Sequence, residues 1–200
     1  MRKNSDSRAG SRSRDKVLAA VIELLDEVAP EQITLTGIAE RAGVTRPTVY
    51  AAFDDLPSAF AEAALTRLRE GFVDAGISAT ITDEDRPAAM EDAFVDILRR
   101  LDEHSAFFSR VLRGPGGQQV LDRMVEFIAE RVRTSSPVSP ALQSGHVPAH
   151  DASVAIAAGV VWSMRRWVDE SPRRTQEEMA ARLRDLVLYS VVGGLGGSGA

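Results

Sequence analysis

The chain has 200 residues, a formal net charge of −5, 44% hydrophobic and 26% charged residues, and no cysteine. Disulfides, thiolate zinc sites and cysteine nucleophiles are thereby excluded together. No apolar run approaches the roughly 20 residues of a membrane-spanning helix. The N-terminus is polar and basic without an apolar core, so no secretory leader is expected and the expected compartment is the cytoplasm.

Net acidity alone argues against a nucleic-acid partner, but charge is unevenly spread. Between Met1 and Lys16 stand Arg2, Lys3, Arg8, Arg12, Arg14 and Lys16 against Asp6 and Asp15, so six bases face two acids. Residues 1–13 are rich in Ser and Arg, lack large apolar side chains, and read as a disordered basic arm. Ser13 then caps a helix from Arg14 to about Val28. Val17, Leu18, Val21, Ile22, Leu25 and Val28 give it one wide apolar face, and Pro30 lies beyond its end.

Thr34 is positioned to cap a short helix with Leu35, Ile38, Ala39 and Ala42 inward. Gly43 falls where a helix-ending residue adopts the left-handed conformation. Thr45 is a candidate cap for a second helix, with Pro47 in the first turn and Val49 and Phe53 inward. Asp54 and Asp55 precede a long helix, Leu56 to Ala75, striped by Phe60, Ala64, Leu65, Leu68 and Phe72. Helices are expected over Pro87–His104, Ser105–Arg113 and Gly117–Arg133. A Pro- and Ser-rich loop follows from Thr134 to Pro148. Two further helices, Ala149–Asp169 and Thr175–Val192, complete an all-α chain of about nine helices, the last opened by a Thr175…Glu178 capping box. Gly193–Ala200 reads as a flexible tail.

Two helices joined by a tight turn at Gly43, on a third helix as base, make a helix-turn-helix unit over residues 14–55. That unit places its second helix in the DNA major groove and its first across the phosphates. It requires a small residue at the turn, small residues where the helices touch, and polar groups outward. Gly43, Ala39 with Ala42, and Thr45, Arg46 and Thr48 meet those requirements.

From Thr34 to Phe53 the chain resembles the TetR family of bacterial transcription regulators. The pattern I-A-x-x-A-G-V-[ST]-x-x-T-[LV]-Y-x-x-F is read on Ile38 to Phe53. With the first helix, the resemblance covers about forty residues; the remainder agrees in helix number, loop placement and length. It implies that Thr34, Thr36, Thr45, Arg46, Pro47, Thr48 and Tyr50 lie at or near DNA. Arg46 is then the candidate reader of a base edge, and the rest mainly position the duplex. Arg12 or Arg14 is a candidate for a minor-groove contact. Capping explains Thr34 and Thr45 without DNA. Arg46 is harder to explain structurally.

The resemblance further implies that residues 56–192 bind a small effector and dimerise through the last two helices, giving a homodimeric repressor on a palindromic operator. Ala155, Ala158 and Gly159 allow close packing, and Leu183, Leu186, Val187 and Ser190 form a stripe. Either set is equally compatible with intramolecular core. For a small, largely apolar effector the candidates are Met90, Phe94, Phe107, Phe108, Met124, Phe127, Ile128, Trp162 and Arg166, although such stripes also serve as plain core. No cofactor or metal is expected: His146 and His150 are separated by Pro148, and His104 has no companion. No nucleotide loop or nucleophile–base pair suggests an enzyme. A second reading rests on Ala51, Ala52 and Leu56, where the family usually carries larger or polar residues: a ligand-binding or protein-interaction protein whose helix-turn-helix no longer reads specific DNA.

Overall fold

A computed structural model describes residues 3–74 and 81–191. Among them no strand occurs. The α-helices are α1 (Lys3–Glu27), α2 (Leu35–Ala42), α3 (Arg46–Ala52), α4 (Leu56–Asp74), α5 (Arg86–Glu103), α6 (Ser105–Arg113), α7 (Gly117–Thr134), α8 (Ser139–Gln143), α9 (Ala149–Asp169) and α10 (Gln176–Ser190). A 3-10 turn, Pro30–Gln32, precedes α2. The all-α expectation holds.

Two boundaries depart from the sequence reading. α1 begins at Lys3, where a disordered arm was expected up to residue 13. No proline interrupts the chain before Pro30, and extending an existing helix is far cheaper than nucleating one. α8 lies inside the expected loop between Thr134 and Pro148. Pro140 occupies its first turn, where a missing N–H costs little. Val138 and Leu142, four residues apart, are both 1% exposed and anchor the turn. The expected tail from Gly193 falls outside the described residues.

The chain divides into two compact units. The first comprises the residues up to Arg67 together with Ala106–Asp122. Here α1 packs on α2 and α3, and α2 on α3. Val17, Val21 and Leu25 are fully buried, with Ile38, Val49 and Phe53 also in the core. Each such side chain contributes about 1.5–3 kcal/mol by leaving water. The α6 segment is fastened to this core by Arg110, whose Nη1 donates to the Leu25 and Asp26 carbonyls at 2.9 and 2.6 Å. Arg67 pairs with Asp26 and lies over the Phe107 ring at 4.8 Å. At the turn after α6, Gly116 has φ +80°, and an added Cβ would lie 2.6 Å from Pro57. Glycine is needed there on both counts.

The second unit comprises Leu68–Ser105 and the residues from Arg123 onward. α10 packs on α5 and α9, and α8 on α9. Ile97, Leu98, Ile156, Val160, Leu183 and Val187 are buried between them. Trp167 is 1% exposed, and its Nε1 donates to the Arg174 carbonyl at 2.9 Å, which satisfies its polar tip. The Thr175 capping box forms as expected: Glu178 N donates to Thr175 Oγ1, and Thr175 N to Glu178 Oε2.

Candidate nucleic-acid interface and ligand cavity

The Thr34 hydroxyl oxygen accepts from Gly37 N at 3.1 Å and caps α2. α2 ends at Gly43, with φ 63° and ψ 38°, as its place after the last apolar residue dictates. The Gly43 N–H and the Val44 N–H return to the Glu40 and Ala39 carbonyls. Val44 is half-buried in the corner. α3 then starts at Arg46. Thr45 holds the cap position, but its side chain does not cap the helix. Its hydroxyl shares a 2.9 Å hydrogen bond with that of Thr48. The expected cap is therefore corrected: the hydroxyl is turned toward Thr48, and no backbone N–H of α3 donates to it.

This frame turns one face of α3 outward. Thr45, Arg46, Pro47 and Tyr50 are exposed, as are Thr34 and Thr36 on α2, while Thr48 is half-buried. Tyr50 is 55% exposed, against the alternative of a core aromatic. No hydrogen bond or ion pair among the described residues engages Arg46. Arg41 behaves oppositely. It binds Glu27 through both Nη atoms, at 2.9 and 2.7 Å, and reaches Glu23 at 3.4 Å. Those carboxylates raise the Arg41 pKa, and the Arg41 hydrogen bond lowers that of Glu27. Arg41 is thus committed to α1.

One of the departures noted above resolves structurally. Ala52 is 8% exposed and faces the core, so its small size removes nothing from the outer face. Arg14 closes the far end of α3: Nη1 donates to the Ala52 carbonyl at 2.7 Å, and the guanidinium lies 4.6 Å from the Phe53 ring centre. A cation at a helix C-terminus complements its partial negative charge. This clamp was not anticipated. The signal was a base on α1 and an aromatic at the end of α3. Between α1 and α3 runs an open groove lined by Gly10, Ser11, Ser13, Arg14, Pro47, Thr48, Ala51 and Ala52.

In the second unit a cavity of about 60 Å³ opens between helices. Met90 and Phe94 of α5, Ile128 and Arg131 of α7, Val160 of α9 and Val187 of α10 contribute to its wall. Met90, Phe94 and Ile128 are the expected residues that the structure gathers there. Phe127 packs edge-on to Phe72 at 5.6 Å, and Met124 is buried; neither is among the lining residues. Phe107 and Phe108 meet edge-on at 5.4 Å in the core of the first unit. Trp162 is 57% exposed and shares a shallow surface groove with Arg165 and Arg166. The sequence reading missed Arg131, Phe72 and the Ser135–Val138 corner.

The outer flank of α9 and α10 also differs from the expected stripe. Leu183 and Val187 are 1% and 3% exposed and belong to the chain's own core. Outward stand Ala155, Ala158 and Trp162 on α9, with Leu186 and Tyr189 on α10. Tyr189 is 74% exposed. The Leu186 side chain lies 3.3 Å from where a Gly159 Cβ would sit, so the small residue there lets the two helices approach closely.

No protein-family model and no curated protein matches the sequence. The fold, by contrast, matches that of TetR-family transcriptional regulators of known structure. The TetR-family repressor AlkX from Dietzia sp., implicated in n-alkane biodegradation, aligns at TM-score 0.59 and 16% identity over 91% of this chain and 96% of its own. Thermus thermophilus FadR, a TetR-family repressor in complex with lauroyl-CoA, aligns at TM-score 0.59 and 17% identity over 88% and 94%. The dihydroxyacetone kinase operon activator DhaS aligns at TM-score 0.57 and 14% identity over 91% and 97%. The chain has the TetR-regulator fold along most of its length. No helix of the described residues is long and apolar enough to cross a membrane.

Proposed function

We propose that the chain is a DNA-binding transcriptional regulator, a homodimeric repressor that leaves a palindromic operator when a small molecule binds. The observation that carries it is the outward, unengaged Arg46 at the start of a helix fixed by the Gly43 turn and the Arg14 clamp. In this reading Arg46 donates to a base edge, with guanine the best match for a guanidinium fork. Thr34, Thr36, Thr45, Pro47, Thr48 and Tyr50 seat the duplex. The Thr34 oxygen already accepts from Gly37 N, so its proton remains to donate to phosphate. Residues 14–55 read DNA, and residues 56–192 take the effector and the second subunit.

The exposed row of Ala155, Ala158, Trp162, Leu186 and Tyr189 is the proposed dimer face. It supports a four-helix arrangement, two helices from each subunit. Two recognition helices must then stand about 34–36 Å apart to enter successive major grooves. The effector acts through unequal affinity for the states that fit and misfit that spacing. A hundredfold preference is worth about 2.7 kcal/mol, enough to empty an operator at moderate occupancy. Compartment follows from the role: such a regulator works in the cytoplasm.

The test is a gel shift on DNA from upstream of its own gene, repeated with Arg46→Ala. Loss of about 1–3 kcal/mol in operator affinity with little change in non-specific binding is expected. Absence of any sequence-dependent shift at low salt sinks the proposal.

A further inference from the structure

Resting on the ligand-binding reading above, we infer that the cavity of the second unit selects an amphipathic anion: a short apolar chain carrying a carboxylate. Its wall is apolar except at one rim, where Arg131, Ser135 and Ser136 stand. Arg131 is the single charged residue among the described residues that line it. Its guanidinium lies 5.0 Å from the Phe72 ring centre and 6.0 Å from that of Phe127. No hydrogen bond or ion pair from its side chain to a described residue occupies it. The aromatic faces orient the fork, and no described residue claims its N–H donors.

The backbone opposition to an anion at this rim is reduced. Arg131 lies in the last turn of α7, whose terminal carbonyls would ordinarily repel an anion. Three of those carbonyls are already engaged. Glu130 O accepts from Thr134 Oγ1 at 2.7 Å, and Arg131 O from Ser135 N at 2.9 Å. Val132 O accepts from Ser136 Oγ at 2.6 Å, and Arg133 O from Ser139 Oγ at 2.5 Å. Donors therefore cover three of the last four carbonyls of α7, and the guanidinium supplies the full charge at this rim. The neighbouring acid Glu130 is held by Arg133, with Nη2 2.6 Å from Oε2. A carboxylate on Arg131 would send its tail toward Met90, Val160 and Val187. The cavity's 60 Å³ fits a chain of a few methylenes, not a bulky ring system.

The experiment is calorimetric titration of the full chain with hexanoate, hexan-1-ol and hexylamine, for wild type, Arg131→Met and Val160→Trp. Wild type is expected to bind hexanoate at least about tenfold more tightly than the alcohol, and to disfavour the amine, as a charge-assisted hydrogen bond requires. Arg131→Met keeps the apolar stem and should bring carboxylate and alcohol to equal affinity without weakening the alcohol. Val160→Trp fills the cavity and should abolish all three. Equal binding of the three probes by wild type overturns the anion assignment and leaves the cavity as a ligand site. No binding of any probe, or binding that Val160→Trp does not alter, removes the cavity itself from the proposed function. The wild-type comparison decides the anion question even if a variant fails to fold.

Discussion

Replacing Arg14 with alanine separates two roles a base on α1 can play. In the structure its guanidinium donates to the Ala52 carbonyl at 2.7 Å and lies over the Phe53 ring. Arg14 is exposed, so water replaces part of what is lost, and the hydrogen bond is worth about 1 kcal/mol. The cation–π contact adds about 0.5 kcal/mol at an exposed site. Arg14→Ala should therefore destabilise by about 1.5 kcal/mol, a fall of about 3–6 °C in melting temperature for a chain of this size. Arg14→Met, which keeps the stem, should lose nearly as much. Thermal unfolding followed by circular dichroism measures this, and a gel shift across a salt series measures the DNA side. If Arg14→Ala melts like wild type but loses affinity, with a salt dependence shallower by about one phosphate, the residue touches DNA and the clamp argument is wrong.

Two glycines of the helix-turn-helix should respond with opposite sign. A Cβ on Gly43 meets nothing within 4 Å, so Gly43→Ala costs backbone strain alone, about 1 kcal/mol net, and Gly43→Asn less. Gly37→Ala, whose Cβ would sit 3.4 Å from Thr34 Oγ1, should instead stabilise α2 by about 0.5–1 kcal/mol. Urea midpoints test both, and equal losses for Ala and Asn at Gly43 would contradict the conformational argument. Asp55 carries a pH prediction. The Ser58 side chain and backbone N–H hold its carboxyl below its ordinary 3.8. A carboxyl lowered on folding contributes stability that is present above its unfolded value and lost as pH falls through the folded one. The stability gap between wild type and Asp55→Asn should be full at pH 7 and close as pH falls below 3.8 and through the lowered folded value; a gap that persists in acid assigns the effect to something other than charge.

The helix-turn-helix was legible because its signals are local. A cap, a left-handed glycine and apolar residues at i, i+3 and i+4 each act within two turns, and Thr34, Gly43 and Val49 stand where that spacing places them. The ends of helices were less legible where tertiary contacts decide. α8 exists because Val138 and Leu142 are both buried, a pair hidden in a stretch whose prolines and serines read as loop. Thr45 had the residue type of a cap, yet its hydroxyl found Thr48 first. The cavity was legible only in part. Periodicity says that a face is buried, not whether it meets a void, packed core or another element. Met90 and Phe94 line the cavity, the similarly patterned Phe107 and Phe108 fill the first unit's core, and Trp162 lies on the surface. Leu183 and Leu186 sit three apart on one stripe, yet one is buried and the other exposed.

The attachment of α6 and its following turn to the first unit has a practical consequence. Arg110 holds the Leu25 and Asp26 carbonyls, a Gly114 Cβ would strike Pro30 at 2.7 Å, and Gly116 abuts Pro57. A fragment ending at residue 55 would keep every outward side chain of α3 yet shed this brace and uncover the apolar surface beneath it. Under the proposed function, transplanting specificity from this protein therefore calls for exchanging individual outward residues of α3, not for splicing the first helices as a cassette.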